Sequence, residues 1–226
     1  MKKIIPIIGI CSMLYFSGIN STPAWAKSDY LEVKNGKGHV YTVSENEGNK
    51  QLREIAKTTD KEDGWVYAAG KWYDVGESEK EDSVTICLKD AVKYLKKHKG
   101  EKEAKFAHVH PKKTAEESIA PPSSYDIFTH GKLKRMLKNS LKMSLISEAH
   151  TSHGVWTYDI TDALEKDINN AKPGEFNSWR ILESMINQET ILIFSNKSSS
   201  NEEKIEHYIS AMKNLGITVS YKTSEK

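Results

Sequence analysis

Hydrophobic and polar positions along the chain change period several times, and each change predicts an element. Leu52, Ile55 and Ala56 recur at helical spacing, predicting a helix over residues 49–59. Two aromatic runs follow, Gly64-Trp65-Val66-Tyr67-Ala68 and Lys71-Trp72-Tyr73-Asp74-Val75, with only Ala69-Gly70 between them. They predict a β-hairpin. A third strand is expected over 83–88. Ala91, Val92, Tyr94 and Leu95 predict a helix over 90–98, with a lysine-rich end and a stop at Gly100. Residues 104–110 return to a strand. A loop over 111–122 closes on Pro121-Pro122, and Ser123 or Ser124 then opens a helix to about residue 138. Strands are expected over 142–148, 155–160 and 190–195, and helices over 162–168 and 178–187. Ile205, Tyr208, Ile209 and Met212 mark an amphipathic helix over 202–215, which Gly216 ends before a last strand at 217–221. Residues 27–48 are polar and glycine-rich, with one short strand candidate at 39–43. No internal repeat is evident. The mixture of helices, strands and hairpin signals predicts the α+β (mixed α/β) class.

The first 26 residues follow a different pattern. Met1-Lys2-Lys3 is a positive start, Ile4 to Phe16 is an apolar run broken by Pro6 and Gly9, and Ala24-Trp25-Ala26 is an A-x-A cleavage signal. Together they predict a secretory signal peptide over 1–26, removed before Lys27. The run is short for a retained membrane anchor. Ile10 before Cys11 argues against lipid attachment. The expected location is therefore periplasmic or extracellular, with no membrane association after cleavage.

Composition alters this picture little, but it excludes several classes. Of the 226 residues 38% are hydrophobic and 28% charged, which rules out a mainly disordered, fibrous or polytopic membrane chain. The formal net charge is +2, and both excess lysines, Lys2 and Lys3, belong to the signal segment. The remainder carries 31 basic and 31 acidic residues, so no nucleic-acid partner is expected. Cys87 is the single cysteine after residue 26, so no internal disulfide can form, and its apolar neighbours suggest a small buried hydrophobe.

The stretch that carries chemistry is Phe106-Ala107-His108-Val109-His110-Pro111. Side chains alternate across a strand, so His108 and His110 emerge on one face at its tip. Two adjacent imidazoles suit a shared divalent ion such as Zn²⁺, which commonly adds a carboxylate and a water. Two exposed polar residues at a strand end would look the same. Asp126, three positions after Ser123 at a helix entrance, offers the carboxylate. Ser-x-x-Asp is also a near match to a helix capping box, which needs no metal. The two readings are compatible. A hydrolytic site further needs a general base. Glu62, just before the first aromatic strand, is the candidate, although Lys61-Glu62-Asp63-Gly64 also reads as a solvated turn. Glu54, Asp60 and Asp63 compete with it.

The order helix, Glu62, aromatic hairpin, His108-x-His110-Pro111, then Ser123-x-x-Asp126 opening a helix resembles the JAMM/MPN zinc metalloprotease family. That family carries an upstream Glu, then His-x-His-Pro, then Ser-x-x-Asp. Gly154-Val155-Trp156-Thr157-Tyr158 is similar to a strand of its bacterial members. Twelve residues separate His110 from Ser123, a longer stretch than the family's usual spacing. The resemblance covers residues 49–160 and leaves 27–48 as a polar N-terminal segment and 161–226 as a C-terminal α/β extension. It implies a central β-sheet flanked by helices. It also implies a Zn²⁺ cofactor held by His108, His110 and Asp126, with Glu62 as acid/base and Ser123 at the oxyanion. The implied activity is that of a secreted, divergent bacterial-type hydrolase, a metallopeptidase or isopeptidase that cleaves an amide bond with a metal-activated water. Its partner would be a peptide or protein substrate, cell-wall peptide included. The alternative is a non-catalytic JAMM-like binding or assembly module.

His130, four positions after Asp126, shares its helix face and is a candidate for the metal's outer shell, or else an ordinary half-buried helix residue. His150 and His153 fall in a predicted turn and read as a solvated loop. Trp65, Trp72 and Trp156 read as core or sheet-face residues. The 93–99 lysine run reads as a solvated helix face.

Overall fold

The computed structural model describes residues 40–80, 83–98, 100–111, 119–170 and 178–223. The predicted signal peptide at 1–26, residues 27–39 and most of the 111–122 loop lie outside the described residues. The described residues form a mixed α/β architecture of nine strands and six helices. In chain order these are β1 (Val40–Tyr41), α1 (Glu45–Thr58), β2 (Gly64–Ala68), β3 (Lys71–Asp74), β4 (Gly76–Lys80), β5 (Ser83–Ile86), α2 (Leu88–Lys96) and β6 (Glu103–Val109). Then follow α3 (Ser124–Leu141), β7 (Ser144–His150), β8 (Gly154–Ile160), α4 (Asp162–Asn170), α5 (Ser178–Phe194), α6 (Asn201–Asn214) and β9 (Ile217–Thr223).

Seven strands form one sheet in the order β1-β3-β2-β6-β7-β8-β9, and β4 pairs with β5 in a separate ribbon. The β2–β3 hairpin turns through Ala69 and Gly70, both at positive φ (52° and 72°), the conformation that a two-residue turn needs to match strand twist. Among the described strands only β6 and β7 run parallel. Parallel neighbours need a crossover, and α3 supplies it. The crossover places the N-terminus of α3 beside the C-terminal end of β6.

Each sheet face has its own cover. Strand alternation sends Phe106 and His108 to the face packed by α2 and α3, and Ala107 and Val109 to the opposite face with Trp65, Trp72 and α1. Helix α1 buries Gly48, Leu52 and Ala56 as one stripe. A Cβ at Gly48 would stand 2.2 Å from the Trp72 indole nitrogen, so this approach requires glycine. Helices α4, α5 and α6 pack on Trp156, Tyr158 and Ile160 of β8. Strand β9 pairs with β8 along its whole length, from Gly154↔Thr223 to Ile160↔Ile217, so the last third of the chain extends the same sheet.

Three expectations are corrected. Residues 190–195 are not a strand, because α5 continues to Phe194. The run Thr190-Ile191-Leu192-Ile193 has β propensity, but tertiary packing overrides it. The Thr190 hydroxyl donates to the Ile186 carbonyl at 2.8 Å, and Phe194 meets Tyr208 at 5.7 Å between ring centres. The predicted 83–88 strand ends at Ile86, and its partner β4 was not foreseen in the charged run after Val75. His150 is not in a solvated turn. It ends β7, fully buried.

Candidate metal centre

The site begins with the sheet register. Gly64 lies opposite His108, and the Val109 N–H donates to the Asp63 carbonyl at 3.1 Å. The antiparallel pairing thus carries Glu62 to the level of His110. His110 leaves the strand by donating its own N–H to the His150 carbonyl at 2.8 Å. Both imidazoles face α3, as the His-x-His spacing predicts, and both are buried.

Helix α3 brings the third group. Ser123 is its N-cap, with a reciprocal capping box to Asp126. The Ser123 N–H and hydroxyl donate to Asp126 Oδ2 at 2.7 and 2.8 Å, and the Asp126 N–H donates to Ser123 Oγ at 3.2 Å. The carboxylate does more than cap. Asp126 Oδ1 lies 3.4 Å from His108 Nε2, and Oδ2 lies 3.5 Å from His110 Nε2. The two Nε2 atoms are 3.0 Å apart. The capping and ligand readings are therefore met by one side chain, with Oδ1 free of the capping hydrogen bonds.

His108, His110 and Asp126 each offer one ligand atom, and these atoms all lie within 4.8 Å of one another, a group that could hold a metal ion. Two ligands at about 2.0–2.1 Å from a tetrahedral ion stand about 3.3 Å apart. The Nε2–Nε2 separation of 3.0 Å and the His108 Nε2–Oδ1 separation of 3.4 Å lie on either side of that value. His110 Nδ1 donates to the Ala120 carbonyl at 3.2 Å, so in the neutral ring Nε2 is the electron-pair donor. His108 lies nearly parallel to Phe106 at 5.7 Å, and its buried Nδ1 has no hydrogen-bond partner among the described residues.

The electrostatics of the group favour positive charge. Burial opposes a charge on His110, but hydrogen bonding and charge from Asp126, then the charge of Glu62, hold its pKa up to about 8. Burial likewise opposes ionisation of Asp126, and the charge and hydrogen bonds of His108 and His110 outweigh it, leaving its pKa well below the usual carboxylate range. Glu62 is half-buried, and its charge reaches His110. Of its competitors, Glu54 is exposed on α1 and engaged with Lys57 at 2.7 Å, Asp60 is exposed, and the fully buried Asp63 accepts from the Gly64 N–H at 2.8 Å.

His130 is fully buried and makes its polar contacts with Ser147 and Asp159. Its Nδ1 meets Ser147 Oγ at 2.7 Å and its Nε2 meets Asp159 Oδ1 at 2.9 Å, which ties α3 to β7 and β8. On the opposite sheet face a second buried polar group forms. His150 Nε2 meets Glu148 at 3.0 Å, and Lys105 bridges Glu148 and Glu45 at 2.6 and 2.5 Å. Burial opposes its charge, but Glu148 and Glu45 raise the Lys105 pKa above the ordinary lysine value.

Sequence reasoning missed the supports of the segment before α3. The Ile119 carbonyl accepts from Trp156 Nε1 at 3.2 Å, Ala120 accepts from His110, and Pro122 accepts from the Tyr208 hydroxyl at 2.8 Å. Pro121-Pro122 marks the end of the loop at the helix entry, but nothing local points to Tyr208, 86 residues away.

No protein-family model matches the chain. No curated protein shows significant sequence similarity to it.

Proposed function

We propose that the chain is an exported zinc-dependent hydrolase of the JAMM/MPN type, acting on a peptide or isopeptide bond. The observation that carries the reading is the convergence of His108, His110 and Asp126 donor atoms within 4.8 Å, at the mouth of the β6–α3 crossover. The proximity of Glu62 to His110 supports it, as does a sheet with α1 on one face and α3 on the other, the architecture the resemblance implies. A zinc ion held there supplies Lewis-acid polarisation of a carbonyl and a water of lowered pKa. His108 and His110 would present neutral Nε2 atoms, with the Ala120 carbonyl holding the His110 tautomer. Glu62 would take the proton from the attacking water and return it to the leaving amine. The Ser123 hydroxyl, at the exposed helix entrance, would turn from Asp126 towards the developing oxyanion.

Metal content of the untagged chain by mass spectrometry tests the first half. About one zinc per chain is expected, lost in the His108→Ala/His110→Ala double variant. Two histidines and a carboxylate also suit non-haem iron, so iron in place of zinc would overturn the hydrolase reading. Glu62→Gln tests the second half. It should retain zinc and lose release of amino termini from a fluorogenic peptide library and from isolated cell-wall peptide. A zinc-loaded wild type that releases none from either substrate would instead favour the binding or assembly module.

A further inference from the structure

We propose that the C-terminal segment is part of the metal centre, with Tyr208 of α6 acting as a positioning residue for Asp126. This inference rests on the metal-centre reading above. The Tyr208 ring is fully buried and its hydroxyl donates to the Pro122 carbonyl at 2.8 Å. Burial, then the nearby Asp126 charge, pushes its phenol above the ordinary tyrosine value, so it remains a donor at any working pH. Pro122 immediately precedes Ser123, whose N–H and hydroxyl hold Asp126 Oδ2.

Residues 119–122 are a short bridge between the loop and α3. Three of its four carbonyls are each taken by a side-chain donor: Ile119 by Trp156, Ala120 by His110, and Pro122 by Tyr208. The two prolines have no N–H of their own to offer a neighbour. The bridge is therefore held from outside, and the donor at its Asp126 end comes from α6. The Tyr208 ring packs edge-on against Trp156 at 5.3 Å and against Phe194 of α5 at 5.7 Å, which fixes the hydroxyl's direction. A group that sets where α3 begins also sets where Asp126 stands relative to two histidines fixed on the sheet. Groups that orient ligands in this way influence metal affinity at one remove.

Tyr208→Phe removes the hydroxyl and keeps the ring. Tyr94→Phe is the matched control, because its hydroxyl donates to the Ala68 and Lys71 carbonyls at 3.3 Å, at the hairpin end of the sheet. The full untagged chain would be compared in three measurements: zinc affinity by chelator competition, visible absorption with Co²⁺ in place of zinc, and Tm. Both variants should lower Tm. Tyr208→Phe alone should weaken zinc about tenfold and shift the cobalt spectrum, because it leaves a buried carbonyl at the site's edge without its donor. Trp156→Phe, which frees the Ile119 carbonyl, is a second arm and should move zinc affinity in the same direction. Zinc affinities within about twofold of wild type in both arms, with an unaltered cobalt spectrum, would overturn the proposal and leave the segment a scaffold only. A wild-type chain that takes up neither metal would overturn the metal-centre reading itself. The two failures are distinct, because the first leaves wild-type affinity intact.

Discussion

Asp126 caps α3 and belongs to the group that could hold a metal ion, and two substitutions should separate the two roles. Ser123→Ala deletes the N-cap hydroxyl. It removes the acceptor for the Asp126 N–H and one of the two donors on Asp126 Oδ2, but the Ser123 backbone N–H remains on that oxygen at 2.7 Å. Losing a serine cap costs about 1 kcal/mol. For a chain of this size that is a fall of about 2–4 °C in Tm. Zinc affinity should drop by less than about tenfold, since Oδ1 and the amide that orients the carboxylate are untouched. Asp126→Asn gives the reverse pattern. Its amide oxygen can still accept from the Ser123 N–H, so the helix start survives, but the ligand charge is gone. Loss of an outer-shell partner already costs about 10–100-fold in metal affinity, so loss of this ligand should exceed about 100-fold. Isothermal titration with zinc and thermal melts of the two variants would supply all four values. An Asp126→Asn chain that retains zinc affinity within about tenfold would refute the assignment of Asp126 as a ligand. A Ser123→Ala chain that loses zinc as completely as Asp126→Asn would refute the claim that the backbone amide suffices to aim the carboxylate.

The remaining predictions concern protons, charge and packing. His110, with a pKa of about 8, must lose its proton to bind a cation, so zinc Kd should fall about tenfold per pH unit as pH rises towards 8, with one proton released per ion, and level off above it with none released from His110; a pH-independent Kd would contradict this. Asp159 is held down to about 2, against burial, by His130 and Lys134. Its stabilising contribution is therefore present above the ordinary carboxylate value and lost as pH falls towards 2, and Asp159→Asn should flatten the acid limb of the Tm–pH curve. Lys105→Met leaves Glu148 buried beside His150 without its cation, and urea melts should show a loss of about 3 kcal/mol at neutral pH. Gly131→Ala places a Cβ 2.7 Å from the Ile168 side chain, where α3 meets α4, and should cost about 1–3 kcal/mol despite alanine's better helix propensity; an unchanged Tm would show that α4 yields freely.

Much of this fold was legible from local pattern. The β2–β3 hairpin, the strand ending in His108-x-His110, the α3 entrance at Ser123 and the amphipathic α6 each carry a signal that neighbouring residues alone produce. Periodicity failed where two local rules competed. The apolar run at 190–193 reads as a strand by composition, yet it continues α5, with Ile193 and Phe194 half-buried in the cluster that α6 shares and Ile191 and Leu192 exposed. His150 looked like a turn residue beside His153 and Gly154, and only the pairing of β7 with β6 and β8 shows why it is enclosed.

The candidate site divides in the same way. The sequence by itself determined which residues have the right chemistry: two imidazoles on one face of a strand, and a carboxylate one helical turn into α3. These are short-range facts, set by a two-residue period and by capping geometry. It could not choose among Glu54, Glu62, Asp60 and Asp63, because a carboxylate's nearness to a strand more than 40 residues away depends on sheet register. The pairing of β2 with β6 brings Glu62 level with His110. Likewise, only the tertiary structure could place a tyrosine from α6 on the carbonyl that precedes the Ser123 cap. Side-chain type and local spacing are encoded residue by residue, whereas register and crossover are set by the packing of the whole sheet.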